Sequence, residues 1–293
     1  MHAAKSISLV LGSGGARGMA HIGVIQVLEE RGFTIRSISG SSVGALVGGI
    51  YAAGELETYA KWVCALERLD VLRLLDLSFS GTALFKGERI INTLKELTGD
   101  QNIEDLPISY TAVATDLEKS KEVWLSRGPL FDAIRASIAF PTVFSAFSWQ
   151  GKKLVDGGLL NPIPIAPTLR DMTDCTIAVS LSGPSRSIHP PLPAPPGRKE
   201  MNRYHKMVVE FVDSLQKKNH RVAEDEAGLF DVISKSLDAM QSTIASFKLA
   251  AYSPDIVIEI PKAICTIYEF ERAKELIEVG RAETERVLDG FTR

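Results

Sequence analysis

Apolar positions along this chain follow two rhythms that alternate. Short, nearly unbroken apolar runs fall at 6–12 (SISLVLG), 34–40 (TIRSISG), 108–117 (ISYTAVATDL) and 175–181 (CTIAVSL). Runs of this length predict strands, and the most continuous of them predict strands buried on both faces. Between them the apolar residues recur every three or four positions. Ile22, Val24, Ile25 and Leu28 mark a helix over 18–31 that Gly32 stops. SVGALVGGIYAAGE predicts a second helix whose small residues let it lie close to a sheet, with Gly54 at its end. Helices are also predicted over 55–68, 87–98 and 129–139, the last with Pro129 near its first turn. The run 121–126 predicts a strand joined to 108–117 by the polar turn 118–120, and KKLVDGG predicts a strand that ends in a turn.

Strands alternating with helices predict an α/β fold, a three-layer sandwich with a mainly parallel central sheet. The whole chain, 1–293, reads as one domain. Its core spans 7–182, and a proline-rich loop follows over 183–198. The remainder, 199–293, is mostly helical, with a late strand at 255–260 and a charged helix at 268–288. No internal repeat interrupts this order.

Composition narrows the function. With 45% hydrophobic and 24% charged residues the chain is an ordinary globular one. A net charge of −3 argues against nucleic acid as a partner. Cys64, Cys175 and Cys265 are too far apart for a metal site, and three scattered cysteines read as buried thiols in a reducing compartment. The amino terminus lacks a secretory apolar stretch, and no run approaches the roughly 20 apolar residues that span a bilayer. The expected location is the cytoplasm; peripheral membrane contact and homo-oligomerisation stay open.

Two strand-to-helix junctions carry the candidate chemistry. The first, LVLGSGGARG, turns on glycines and presents backbone N–H groups to something negative. A dinucleotide reading fails there, because residue 17 is arginine and 34–39 holds no carboxylate; a P-loop reading lacks its Gly-Lys-Ser/Thr. The second junction, Gly40-Ser41-Ser42-Val43-Gly44, fits G-x-S-x-G between a strand and a helix. That is the setting of a nucleophile elbow, in which Gly40 and Gly44 relieve crowding around an outward-facing Ser42. The alternative is that Ser42 only caps its helix. If the two turns face each other, the N–H groups of Gly14, Gly15 and Ala16 can stabilise an oxyanion formed at Ser42. Arg17 then holds the loop, binds an anionic headgroup, or makes a surface ion pair.

SGGARG, GSSVG and DGG, in this order and together with RASIAFPTVFSAF and LVDGGLLNPIP, resemble the motifs of the patatin-like phospholipases. The resemblance covers most of 7–182 and departs from the common pattern at Ser13, where many members carry glycine. It implies a patatin-like fold and a serine acyl hydrolase acting on lipid esters through a Ser–Asp dyad. Ser42 is then the nucleophile, Asp156 the base, Gly14, Gly15 and Ala16 the oxyanion donors, and Gly157 and Gly158 the turn that presents Asp156. No metal or organic cofactor is implied.

A triad would need a histidine after the acid. His189 lies in the proline loop, His205 and His220 lie in a charged helical stretch, and His21 shares a helix face with Ile25 and Leu28, packed under the glycine loop. The dyad is therefore expected. Phe140, Phe144 and Phe147 before the Asp156 strand form either an acyl-chain pocket or ordinary core. Residues 199–250 could serve as lid, dimer surface or membrane-facing element. The rival to an enzyme is a non-catalytic regulator that keeps the fold and binds lipid or protein.

Overall fold

The computed structural model describes residues 5–74, 76, 83–184 and 222–291. The proline-rich loop beyond residue 184, the start of the following helical stretch, and His189, His205 and His220 lie outside them.

Among the described residues eight strands form the central sheet: β1 (Ser6–Leu11), β2 (Thr34–Ser41), β4 (Ser109–Asp116), β5 (Lys121–Leu125), β7 (Phe147–Trp149), β8 (Lys152–Asp156), β9 (Cys175–Gly183) and β10 (Ile256–Pro261). Their order is β10-β9-β1-β2-β4-β8-β7, with β5 also paired to β4. From β10 to β4 every pairing is parallel, as the alternating strands and helices predict. Beyond β4 the sheet turns antiparallel. A separate two-stranded sheet pairs β3 (Ala83–Phe85) with β6 (Thr142–Phe144); strands this short show no readable period in the sequence.

The helices are α1 (Ala20–Glu30), α2 (Val43–Ala52), α3 (Leu56–Ala65), α4 (Arg68–Arg73), α5 (Glu88–Thr98), α6 (Leu130–Ser137), α7 (Val222–Tyr252) and α8 (Ala273–Phe291). Strand β1 shows the layering. Ile7, Leu9 and Leu11 belong to the large apolar core shared with α1, α2, α6 and α8, whereas Val10 points the other way. There, among the described residues, it joins a smaller cluster, Ile163, Ile165, Ala178 and Ala245 of α7.

Two expectations change. The last helix begins at residue 273 rather than 268, because the Glu269 carboxylate accepts the Thr266 N–H at 2.6 Å and folds the chain into turns first. Cys175 and Cys265 are buried, but Cys64 is exposed. It falls off the Leu56–Tyr59–Ala60–Val63 stripe that α3 buries.

The pairing of β4 explains how the site forms. Its residues 112–113 pair with both β2 and β5, so those strands flank opposite edges. Its residues 114–116 pair with β5 and β8, so β8 takes over the edge that β2 vacates. Ser41 lies opposite Val113, and Asp156 lies opposite the next residue, Ala114. Two strands running in opposite directions therefore deliver their carboxyl ends to one point.

Candidate active site

Ser42 sits between β2 and α2 with φ 55° and ψ −126°, a conformation that L residues adopt only when the surroundings enforce it. Its N–H donates to Ser137 Oγ at 2.9 Å, and Ser137 in turn donates to the Val113 carbonyl at 2.5 Å. This tether ties the strained turn to α6 and β4. Ser137 lies within RASIAFPTVFSAF, but nothing in the sequence singles it out. A side chain at Gly44 would come within 2.1 Å of the Leu11 carbonyl, and one at Gly40 within 2.4 Å of the Gly44 carbonyl. Both glycines are needed for α2 to start against β1.

The Ser42 hydroxyl donates to Asp156 Oδ2 at 2.5 Å, and the Gly158 N–H donates to Asp156 Oδ1 at 2.7 Å. Asp156 is fully buried, while Ser42 keeps 9% exposure. Burial pushes the Asp156 carboxyl up to about 7, and the hydrogen bonds from Ser42 and Gly158 only partly offset it. Gly157 and Gly158 have no room for side chains, since a Cβ would lie 2.0 Å from the Val113 carbonyl or 2.4 Å from Ser13 Oγ.

The glycine loop borders this pair at Ser13, whose Oγ lies beside Gly158, and at Gly12, whose carbonyl lies beside Gly44. Its backbone is anchored by Gly12 N–H to the Val179 carbonyl and Ser13 N–H to the Pro162 carbonyl. Of the three donors expected from sequence, Ala16 is corrected: its N–H is committed to the Ile267 carbonyl at 3.0 Å. Gly14 and Gly15 have no such backbone partner among the described residues. Gly15 has φ 59°, which explains glycine there.

Arg17 is buried and holds the glycine loop rather than making a surface ion pair. Its guanidinium is 3% exposed, and it donates to the Gly14 carbonyl, the Leu181 carbonyl and Asp238. Phe144 and Phe147 place their rings 5.9 and 5.8 Å from the buried Arg135 guanidinium, and Phe144 also packs on Phe85. Those two rings pack on the Arg135 guanidinium. Phe140 is half-buried and follows Ala139, whose carbonyl accepts the Asp156 N–H.

His21 is fully buried, with Nε2 2.8 Å from the Gly12 carbonyl. Burial lowers its pKa to about 4, although the Gly12 bond opposes this. The folded state therefore holds it neutral while the unfolded chain protonates it near 6.5, so the contribution of His21 to stability falls as pH drops from 6.5 toward 4. Between pH 7 and 5 this linkage should cost about 2 kcal/mol, and His21→Gln should remove that slope in urea titrations. A variant with the wild-type slope would show that His21 is not its source.

Among the described residues no group of three metal-type side chains is present, and no helix is long and apolar enough to cross a membrane.

Fold and site together define an α/β enzyme of the esterase class. A family model described as "Patatin-like phospholipase" matches residues 9–169. An uncharacterized NTE family protein of Mycobacterium tuberculosis is 40% identical over 97% of this chain and 92% of its own length. A lysophospholipase of Saccharomyces cerevisiae is 33% identical over 55% of this chain, which spans 10% of that much longer protein. In three dimensions VipD from Legionella pneumophila superposes with a TM-score of 0.51, covering 98% of this chain and 67% of VipD, at 16% identity. That likeness concerns the fold alone. The chain belongs to the patatin-like phospholipase family, and its chemistry is lipid hydrolysis.

Proposed function

We propose that this protein hydrolyses acyl esters of phospholipids or lysophospholipids through a covalent acyl-serine. Ser42 Oγ attacks the ester carbonyl carbon as its proton passes to Asp156 Oδ2. The tetrahedral oxyanion is met by the N–H groups of Gly14 and Gly15. Collapse breaks the bond to the alcohol, which takes the proton from Asp156. Water then gives a proton to Asp156 and attacks the acyl-serine; the second tetrahedral intermediate collapses, breaking the acyl–Oγ bond, as Asp156 returns the proton to Ser42 Oγ and the fatty acid leaves. The observation that carries this reading is the 2.5 Å bond from the strained Ser42 to a fully buried carboxylate. A carboxyl raised to about 7 is a far better base near neutrality than one at its ordinary value, because proton transfer works best when the pKa lies near the working pH. Among the described residues no histidine serves the site: His21 is committed to Gly12 and its ring is held neutral.

A fluorophosphonate should add once to the wild-type protein by intact mass and not at all to Ser42→Ala. An adduct that persists in Ser42→Ala would remove Ser42 as nucleophile. Lipid profiling of a reaction with mixed phospholipids identifies headgroup and acyl position.

A further inference from the structure

The partner of Arg17 lies on α7, far along the chain from the glycine loop and beyond the segment 9–169 that the family model matches. All three guanidinium nitrogens are used: Nε donates to the Gly14 carbonyl at 3.1 Å, Nη1 to the Leu181 carbonyl at 3.2 Å, and Nη2 to Asp238 Oδ1 at 2.7 Å. Asp238 Oδ2 pairs with Lys262 Nζ at 2.7 Å, and Lys262 also donates to Ser242 Oγ. Burial raises the Asp238 carboxyl, but the charges and hydrogen bonds of Arg17 and Lys262 outweigh it and hold the group below its ordinary range.

The geometry of the peptide unit gives this network its meaning. The Gly14 carbonyl and the Gly15 N–H belong to one planar trans peptide and point in opposite directions. A guanidinium that fixes the Gly14 oxygen therefore fixes the direction of the Gly15 N–H. Arg17 can hold that oxygen only while its buried charge is compensated, and Asp238 is its one carboxylate partner among the described ion pairs. Glycine at both positions leaves the peptide little intrinsic resistance to rotation.

We propose that Asp238 is a positioning residue for the oxyanion loop: through Arg17 it orients the Gly14–Gly15 peptide and so couples α7 to the reaction. The proposal rests on the reading above that the Gly15 N–H meets the oxyanion. It also gives α7 a role beyond covering the sheet, since the helix reaches the loop by this ion pair.

The test uses the full chain with p-nitrophenyl butyrate, together with hydrogen exchange of the peptide spanning 12–19. Asp238→Ala should lower kcat at least tenfold with KM within twofold, and the loop peptide should exchange faster. Asp238→Glu should recover most of kcat. Lys262→Met, which leaves the Arg17–Asp238 pair in place, should stay within threefold of wild type. If Asp238→Ala reduces the folded fraction, the isosteric Asp238→Asn is measured in its place. Wild-type kcat and unchanged exchange in a folded Asp238 variant would overturn the proposal. So would an equal loss in Lys262→Met, which would mean simple helix docking. The exchange arm does not depend on Ser42 chemistry, so failure of the nucleophile assignment is read separately, from the fluorophosphonate adduct.

Discussion

Asp156→Asn is expected to lower ester hydrolysis by about 10² to 10⁴ while making the fold more stable at alkaline pH. The amide keeps the shape and can still accept the Gly158 N–H, but it cannot take the Ser42 proton. The stability gain follows from the raised carboxyl. Folded Asp156 binds its proton up to about pH 7, whereas the unfolded chain releases it near 3.8. The protonated form favours folding below 3.8, and that advantage is lost as pH rises through 7. A gap of this size corresponds to about 4 kcal/mol at pH 8. Asp156→Asn should therefore melt above wild type at pH 8, and the difference should shrink toward pH 4. In wild type, kcat/KM should rise with pH along a limb near 7 that survives His21→Gln. A carboxyl limb moves little with temperature, whereas an imidazole limb moves appreciably. A folded Asp156→Asn with near-normal turnover would end the dyad mechanism.

Gly15→Val should cost about a hundredfold or more in kcat, the usual loss when an oxyanion donor is misdirected. At φ 59° a β-branched residue is strained, and a Cβ here would lie 2.5 Å from the Ile267 carbonyl and 2.7 Å from the Ile267 side chain. The loop must therefore move, and the Gly14–Gly15 peptide moves with it. The same clash disturbs the Ala16 N–H to Ile267 bond, so the melting temperature should fall as well. Rates are to be normalised to the folded fraction from circular dichroism. If folded Gly15→Val turns over within threefold of wild type, the opening loop is not the oxyanion hole.

Some of this was written locally in the chain. The parallel half of the sheet follows from apolar runs that alternate with helical spacing, because strands buried on both faces leave no polar interruptions. The His21 position was equally legible, since Ile25 and Leu28 on its helix face put it inside. The antiparallel end of the sheet was not legible. Whether KKLVDGG enters beside β4 parallel or antiparallel depends on the path from α6 through β6 and β7, and no local pattern encodes that path. Ala16 failed as a donor for a similar reason, because its acceptor, Ile267, lies about 250 residues away. Three roles stayed open for Arg17, holding the loop, binding a headgroup or a surface ion pair, because its partners Asp238 and the Leu181 carbonyl lie far along the chain.

By itself, then, the sequence determined the elements and the chemical vocabulary: two glycine turns at strand ends, a serine between glycines and an aspartate before two more. Those features are local, set by backbone freedom and by the 2.0 and 3.6 residue periods. Only the tertiary structure decided which groups meet. It ended β2 at Ser41 and brought β8 to the same edge of β4, so that Ser42 and Asp156 lie 2.5 Å apart across 114 residues of chain. It buried that carboxylate, and with it raised the carboxyl's proton affinity to about 7. Desolvation and long-range pairing are properties of the packed molecule, and no stretch of sequence carries them alone.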